Sequence, residues 1–482
     1  MSPVCIALLV LGVLFVAWLV VILVRAANFK PKDEPVPVDD PVEADRDHAI
    51  ESLRQMVRCK TVSYYDEAKI DEAEFDKFRA LLPERFPTVF EKCAYERIGK
   101  SGLLFTLKGR SSEKPSVFMA HYDVVPVNER QWQKPAFEGI IEDDVLWGRG
   151  TLDTKGTLNG VLEAAETLLK QGFVPENDMY FAFAGDEEIA GVTQTQIVET
   201  LRARGIRPAF VLDEGGAVVE NVFPGVKGRC ALIGTGEKGI LNLSMSIEGA
   251  GGHASAPPAH TAVGKLAKAV VTIEDHPFRF RITAPVAGMF DTLGRHSTFV
   301  YRLIFANLWC FKPVLNGICK KSGGELNALV RTTCAMTQMS GSPATNVLAP
   351  NASIGANFRI MGGETPETVI ARCKKLVNND EIVFRNEQSQ SPSPFSRTDC
   401  EAWNKLTEAV RSTWPDALVS PYLMIACSDS RHYCAISDNV YRFSMMELSK
   451  EQRGMIHGTD ERIPFDTIVK TVECYMRVMK KL

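Results

Sequence analysis

The chain has 482 residues, of which 45% are hydrophobic and 24% are charged, and its formal net charge is −4. These values are typical of a globular protein of one large or two to three ordinary domains. The absence of a basic face argues against a nucleic-acid-binding protein. The 12 cysteines include no CxxC pair, which excludes a zinc ribbon or a disulfide-dense small fold.

The N-terminus carries an uncharged apolar stretch, Val4–Val24. It is long enough to cross a bilayer as a helix and longer than the usual apolar core of a cleaved signal peptide. We predict a transmembrane signal anchor over residues 4–24. Cleavage after Ala26, which would release a secreted form, is the alternative. Residues 25–47 are Pro-rich and acidic, which predicts an extended linker.

Two features of the sequence predict opposite orientations of this segment in the membrane. Arg25, Lys30 and Lys32 follow the apolar stretch, which would keep the body cytosolic. Two Asn-x-Ser sequons, at Asn242 and Asn351, indicate a glycoprotein instead. We predict that the body is lumenal or extracellular.

Three short apolar runs each end in acidic or His residues: "PSVFMAHYD", "DMYFAFAGDEE" and "PAFVLDEGG". Between the first two, apolar residues recur at helical spacing over Lys155–Gln171, with Gly172 as the expected C-cap. Strands alternating with helices predict an α/β fold with a mostly parallel sheet and helices on both faces. In such sheets, ligands bind beyond the carboxyl ends of the strands.

The pattern changes after Gly239, where two runs, "ILNLSMSIE" and "NASIGANFRI", alternate as strands with one exposed face do. We therefore predict a smaller α+β lid or dimerisation domain at residues 239–388. It would interrupt a catalytic domain formed by residues 48–238 and 389–482, which ends in a helix from Phe465.

Several ionisable residues stand at predicted strand ends. His121 and Asp123 are two positions apart, so on a strand they project together, as a metal ligand and its orienting partner do. Asp153 lies in the Gly-rich turn "GRGTLDTKG", where it could equally be a helix N-cap. Glu187 and Glu188 complete a run of three acids, whose repulsion either a surface loop or a bound cation would relieve.

Two more residues complete the set. Asp213 follows another apolar strand, and His457 lies in "HGTDERI" near the C-terminus. Each residue alone has an ordinary structural explanation, but an α/β fold gathers all of them on one rim. A GxGxxG match at residues 234–239 precedes a strand rather than a helix, so it is not a dinucleotide site. The chain has no HExxH, GxSxG or Walker A motif.

The motifs "HYDVVP", "GRGTLDTKG", "DEE", "VLDEGG", "GGHASAP", "NFRI" and "HGTDERI" occur in this order. Over residues 48–482 the chain thereby resembles the di-zinc aminoacylase/carboxypeptidase family, most closely its carboxypeptidase S and N-fatty-acyl-amino-acid synthase/hydrolase branches. The resemblance implies a zinc-peptidase-like fold and an enzyme that cleaves, and possibly forms, amide bonds of N-acyl amino acids or of the C-terminal residues of short peptides.

The resemblance also implies two Zn²⁺ per chain. His121 and Asp213 would hold one ion, Glu188 and His457 the other, and Asp153 would bridge both. Glu187 would be the general base that activates a bridging water, and Asp123 would orient His121.

Substrate contacts follow from the same resemblance. His253 of "GGHASAP" would stabilise the oxyanion in the partner subunit of a homodimer, and Arg359 of "NFRI" would grip the free carboxylate of the substrate, assisted by Asn346. The ordinary alternative for Arg359 is a strand arginine that reaches solvent. A dipeptidase or aminopeptidase of the same family, or an inactive membrane-tethered binding protein, remain alternative functions.

One apolar segment, Met289–Leu315, is longer than a compact lid needs. It predicts either a tunnel for a long acyl chain or a helical hairpin packed on the lid or at the dimer interface.

Overall fold

The computed structural model describes residues 2–32 and 40–482. Residues 33–39, in the middle of the predicted linker, lie outside the described residues. The strands of the described residues are β1 Ala94–Ile98, β2 Gly102–Leu107, β3 Ser111–His121, β4 Ile140–Glu142, β5 Val145–Trp147, β6 Asn177–Ala184, β7 Phe210–Glu220, β8 Arg229–Glu237, β9 Gly239–Glu248, β10 Thr333–Ser340, β11 Asn351–Ile360, β12 Val383–Gln390, β13 Leu418–Met424, β14 Val440–Leu448 and β15 Arg462–Pro464.

The α-helices of the described residues are α1 Pro3–Asn28, α2 Arg46–Val57, α3 Glu72–Arg85, α4 Pro87–Lys92, α5 Lys155–Lys170, α6 Thr193–Ala203, α7 Ala262–Asp275, α8 Ala284–His296, α9 Phe299–Ala306, α10 Leu308–Ser322, α11 Gly324–Ala328, α12 Pro366–Val377, α13 Glu401–Thr413, α14 Lys450–Met455 and α15 Phe465–Lys481. The helices predicted from Lys155 and from Phe465 are therefore confirmed.

The larger sheet has eight strands in the order β1-β2-β6-β3-β7-β14-β8-β13. Strands β6, β3, β7 and β14 run parallel to one another, as do β8 and β13, whereas β1 and β2 are antiparallel. The predicted α/β fold is thus confirmed, with a mixed sheet whose parallel strands lie in the middle. The carboxyl ends of β3, β6 and β7 consequently meet at one edge.

Strand β3 shows why the central strands read as uninterrupted apolar runs. Val117 and Met119 pack with residues of α6 on one face of the sheet, whereas Phe118 and Ala120 pack in the main core, to which α5 and α15 contribute. Successive side chains of a strand point to opposite faces, so a strand covered on both faces must be apolar at every position.

The smaller sheet is antiparallel in the order β10-β11-β9-β12, and it shares a separate core with α7 and α12. In β9, Leu241, Leu243 and Met245 enter this core while the residues between them are half-buried. The alternation that the sequence shows is thereby explained, because only one face of this sheet is covered. The four strands lie between Gly239 and Gln390; the domain boundaries themselves remain a prediction.

The apolar segment Met289–Leu315 forms most of α8, all of α9 and the first half of α10. It does not act as one unit. Met289 and Phe290 are buried in the main core, whereas α9 contacts the N-terminal helix α1.

Candidate metal centre

His121, the last residue of β3, stands at the centre of a cluster of carboxylates. Its Nε2 atom lies 3.1 Å from Asp153 Oδ1, 3.4 Å from Glu214 Oε1 and 4.0 Å from Glu187 Oε2. The imidazole is buried, and its other nitrogen, Nδ1, donates to the backbone carbonyl of Asp123 at 3.0 Å. That hydrogen bond fixes the ring so that Nε2 faces the carboxylates.

A second histidine reaches the same aspartate from the other side. His457 lies in the loop between α14 and β15, and its Nε2 atom is 3.1 Å from Asp153 Oδ2 and 3.0 Å from Glu188 Oε2. The two oxygens of Asp153 therefore face two different imidazoles. This is the geometry expected of a carboxylate that bridges two positively charged centres.

Asp123 connects His121 to the turn that carries Glu187 and Glu188. Its carboxylate lies 3.3 Å from His121 Nδ1 and accepts hydrogen bonds from the Ser63 hydroxyl and from the backbone N–H groups of Glu187 and Glu188. One buried carboxylate thus fixes both the imidazole and the turn that carries the two glutamates.

The loop that carries Asp153 is held by a residue that sequence analysis missed. Glu461 is fully buried, and its carboxylate accepts from the Arg149 guanidinium at 2.6 Å and from the backbone N–H groups of Gly150, Leu152 and Asp153. The "DER" of the last motif was the only sequence signal for it. Glu461 therefore positions Asp153 through the backbone of its loop.

The electrostatics of the cluster show how much negative charge has been brought together. Burial is the main cause that raises the pKa of Glu188 and of Glu214 to about 7, and it raises the pKa of Glu187 well above its ordinary value. Hydrogen bonds to Asp153 and Glu188 raise the pKa of His457 to about 10. Protons therefore bind tightly here in the absence of a cation, and a cation would compete for the same electron pairs.

The donor atoms are close enough for metal binding. Ligand atoms of His121, Glu187 and Glu214 lie within 4.8 Å of one another, as do those of His121, Asp153 and Glu188. Moreover, the Oε1 atom of Glu188 is buried and makes no hydrogen bond. A buried carboxylate oxygen without a partner is costly, and a metal ion would satisfy it.

The geometry at the end of β7 places Glu214, rather than the predicted ligand Asp213, next to His121. Asp213 is buried in β7 and its Oδ2 atom accepts from the backbone N–H of Ser430 at 3.1 Å, whereas the next residue, Glu214, faces His121. Neighbouring strand residues point to opposite sides, so only one of the two acids in "VLDEGG" can reach the cluster. The structure brings Glu214 there.

The residues predicted to contact substrate lie in the smaller-sheet region. His253 is exposed, forms an isolated β-bridge with Val347 and lies 2.7 Å from the Ser255 hydroxyl through Nδ1. Asn346 is also exposed, and its backbone carbonyl accepts from the backbone N–H of Ala254. Within the described residues, no hydrogen bond or ion pair connects either side chain to the carboxylate–histidine cluster.

Arg359 is half-buried on β11, and its Nη1 atom lies 3.3 Å from Cys427 Sγ. No carboxylate of the described part of the chain forms an ion pair with it. Lys238 lies nearby, fully buried, and burial, followed by the charge of Arg359, lowers the pKa of its ammonium to about 7. The guanidinium is thus available to an anionic ligand.

A mixed α/β sheet with a carboxylate–histidine cluster at its carboxyl edge is the architecture of a metal-dependent hydrolase. Residues 117–481 match the peptidase family M20/M25/M40, and the chain belongs to this family. The family resemblance seen in the sequence motifs is therefore confirmed.

Two relatives align over nearly the whole chain. "Probable carboxypeptidase S-like 2" of Dictyostelium discoideum is 33% identical over 98% of this chain and 92% of its own length. "N-fatty-acyl-amino acid synthase/hydrolase PM20D1" of Xenopus tropicalis is 34% identical over 91% of this chain and 86% of its own.

Solved structures share the fold at low sequence identity. The M20 family metallo-carboxypeptidase Sso-CP2 from Sulfolobus solfataricus superposes with a TM-score of 0.66 at 19% identity, covering 90% of this chain and 98% of that one. Human carnosine dipeptidase 1 gives a TM-score of 0.63 at 12% identity, covering 90% and 96%.

The exchange of Asp213 for Glu214 leads to a direct test. We expect Glu214→Gln to lower the affinity for one metal ion by at least about 10- to 100-fold, which is the loss seen when a residue that only orients a metal ligand is removed. Asp213→Asn keeps the side-chain volume and is expected to leave the metal content unchanged. Metal analysis after dialysis against graded free zinc measures both; a loss confined to Asp213→Asn would restore the original assignment.

Proposed function

We propose that the chain is a zinc-dependent hydrolase, with two Zn²⁺ per chain, that cleaves the amide bond of N-acyl amino acids or of the C-terminal amino acid in short peptides, and that can form the same bond. The observation that carries the proposal is the placement of the two Asp153 oxygens, each 3.1 Å from a different imidazole nitrogen.

The residues present fit zinc. His121 and Glu214 would hold one ion, His457 and Glu188 the other, and Asp153 both. Imidazole nitrogen and carboxylate oxygen without thiolate suit a catalytic zinc site, which leaves positions open for water. When bound, zinc supplies Lewis acidity for the scissile carbonyl and acidifies a water molecule.

Glu187 would act as the general base. It is next in the chain to a proposed ligand, Glu188, yet its own carboxylate lies 4.0 Å from His121 Nε2 and does not contact Asp153 or His457 through a hydrogen bond. Burial raises its pKa, so it is poised to take a proton from the attacking water and to pass it to the leaving nitrogen.

Arg359 would bind the substrate carboxylate, since a guanidinium fork matches a carboxylate with two parallel hydrogen bonds. Asn346 would assist. His253, which is exposed and makes no hydrogen bond or ion pair with the cluster among the described residues of its own chain, would stabilise the oxyanion in the site of the partner subunit of a homodimer.

We expect Arg359→Met to raise the KM for an N-acetyl amino acid by about 10- to 100-fold, because a hydrogen bond to a charged group contributes about 1.5–3 kcal/mol. The loss should largely vanish with the corresponding carboxamide, which wild type already binds poorly. Steady-state kinetics on the acid and the amide measure this.

The matched control is Arg385→Met, an exposed arginine on strand β12, which lies in the same sheet but is separated from β11 by β9. The same pair of substrates tests the function itself. Hydrolysis that tolerates a blocked carboxyl group but requires a free amine would instead identify an aminopeptidase or dipeptidase, and no hydrolysis of any amide would identify an inactive binding protein.

An apolar cavity beside the cluster supports an acyl substituent on the substrate. Its volume is about 290 Å³, and its walls include Phe223, Leu232, Met289, Leu329, Tyr422 and Ile425. Gly215, directly after Glu214, and Ile456, directly before His457, also line it. The cavity therefore begins within one residue of the proposed ligands, and of the segment predicted as a tunnel it uses only Met289.

We expect kcat/KM to rise with acyl chain length by about fourfold per methylene, from about 0.8 kcal/mol per buried CH₂, until the cavity is filled. Ala217, on β7, lines the cavity, so Ala217→Leu should reduce the preference for dodecanoyl over acetyl substrates by at least about tenfold, which corresponds to two to three buried methylenes. Hydrolysis of acetyl substrates should be unchanged.

A second apolar cavity provides the control. It has about 240 Å³ and is lined by Phe210 and Ala402, near the start of β7 and of α13. Ala402→Leu fills that cavity by the same increment and should leave the chain-length preference intact. Equal kcat/KM for acetyl and dodecanoyl substrates in wild type would remove the acyl cavity from the proposal.

We also propose that α1 is a retained signal anchor that places the body on the lumenal or extracellular side. It is a 26-residue helix that contains an 18-residue stretch with a mean hydropathy of 3.2, and only Ile22 and Ala26 are buried. Its last turns pack on the body, which favours retention over cleavage after Ala26. Of the two sequons, Asn351 is exposed, whereas the Asn242 amide is hydrogen-bonded within the sheet to Gln388, so glycosylation is expected at Asn351.

A further inference from the structure

We propose that helices α9 and α10 form a hairpin that is embedded in the same leaflet of the lipid bilayer as the last turns of α1. The inference rests on the proposed anchor and adds a second membrane-binding element, one that belongs to the catalytic body. The partner that this surface would contact is the hydrocarbon and interfacial region of a bilayer.

The contacts between α1 and the hairpin set the depth. The Asn307 amide, between α9 and α10, donates to the Ile22 carbonyl at 3.0 Å, and the Phe311 ring lies 6.3 Å from the Trp18 ring. Ile22 and Trp18 stand two and six residues before Val24, where the uncharged stretch ends. At 1.5 Å per residue, the hairpin therefore reaches about 9 Å into the apolar length of α1.

The solvent-exposed side chains of the hairpin have the composition of a membrane-binding surface. The exposed residues of α9 and α10 are largely apolar or aromatic: Phe299 at 44%, Val300 at 70%, Tyr301 at 39%, Trp309 at 57%, Val314 at 49% and Ile318 at 41%. Residues 299–322 contain no acid, and their charges are all basic: Arg302, Lys312, Lys320 and Lys321. Apolar side chains with Trp, Tyr and flanking lysines are typical of interfacial helices.

The break between the two helices is satisfied internally. Asn307 is fully buried, its amide also donates to the Leu303 carbonyl, and its Oδ1 accepts from the Trp309 indole. The Ala306 carbonyl accepts from the Arg25 guanidinium. Backbone that leaves a helix is tolerated at membrane depth only where its polar groups find protein partners, and here they do.

Tryptophan fluorescence in vesicles tests the proposal on the full chain. The protein is reconstituted in phosphatidylcholine vesicles with or without brominated acyl chains, which quench tryptophans in contact with hydrocarbon. The emission lost in Trp18→Phe reports on α1. The further emission lost in Trp18→Phe/Trp309→Phe reports on the hairpin. We expect brominated lipid to quench both differences.

Two matched reporters keep the test decisive if Trp309→Phe perturbs the hairpin. In the background lacking both tryptophans, Val300→Trp on α9 should be quenched. Val271→Trp, at a site that is 55% exposed on α7, a helix that packs on the smaller sheet, should not.

The outcomes separate the two proposals. An unquenched Trp18 would overturn the anchor and the hairpin with it, whereas a quenched Trp18 beside an unquenched Trp309 and Val300→Trp would overturn the hairpin alone. If those two reporters are unquenched and cross-linking gives a two-chain species that Val300→Asp abolishes, the surface binds a second copy of the chain instead of lipid.

Discussion

Glu187→Gln is expected to lower kcat by about 10²- to 10⁴-fold, the range that a positioned general base contributes. The amide keeps the size of the side chain but cannot accept the proton of the attacking water. The fold should survive, because the backbone N–H of Glu187, which the substitution leaves in place, makes the hydrogen bond to Asp123. Single-turnover hydrolysis of an N-acetyl amino acid measures the loss.

Metal content gives this prediction its second readout. We expect two zinc ions per chain in both wild type and Glu187→Gln. Glu199→Gln, the same change at an exposed position of α6, should match wild type in both rate and metal content. Because Glu187 also belongs to a group of potential ligand atoms with His121 and Glu214, loss of one ion in the variant would reassign it from base to ligand.

Removal of the metal should abolish hydrolysis and should lower the melting temperature by more at pH 8 than at pH 5.5. The reason is the charge of the cluster. Without cations, the carboxylates of Glu188 and Glu214 must ionise while buried beside Asp153, at a cost that two cations would offset.

The sign of the pH dependence follows from the direction of the pKa shifts. The pKa of Glu188 and Glu214 rises from an ordinary 4.5 to about 7, so the metal-free fold loses stability as the pH rises from 4.5 to 7. The pKa of His457 rises from 6.5 to about 10, so its contribution is complete below pH 6.5 and is lost as the pH rises towards 10. Hydrogen bonds from both histidines outweigh burial and lower the pKa of Asp153. The contribution of Asp153 to stability therefore changes only at a pH below the range compared here.

Metal binding has the opposite dependence, because ligands must release their protons to bind a cation. Thermal melts of the loaded protein and of the protein treated with chelator, at pH 5.5 and 8, should therefore diverge as the pH rises. Readdition of zinc should restore the melting temperature and the activity. A chelated protein that is more stable at pH 8 than at pH 5.5 would contradict the proposed electrostatics.

Much of the site could be read from local sequence. His121 and Asp123 at an i, i+2 spacing after an apolar run indicated a ligand and its partner, and the structure places them 3.3 Å apart. The repelling acids of "GDEE" left a surface loop and a bound cation as alternatives, and the structure places Glu188 near both Asp153 and His457. Such signals can be recognised in the sequence because each involves residues only a few positions apart.

What the sequence did not indicate depends on register and on long-range contacts. Two adjacent acids in β7 give no local sign of which one faces the cluster, so Glu214 was missed. Glu461 was missed because its partner Arg149 is 312 positions away along the chain. The segment from Met289 divides between a cavity wall and the contact with α1, which follows from where α1 packs and not from the composition of the segment.

The contact between Glu461 and the loop before α5 also sets the order in which the cluster is assembled during biosynthesis. Asp153 is translated long before Glu461 and His457, and all four strands of the smaller sheet are translated in between. The large sheet therefore stays incomplete until β13 and β14, which follow the smaller sheet in the chain, have been synthesised. The cluster around Asp153 is consequently complete only after residues 457–461 have been translated.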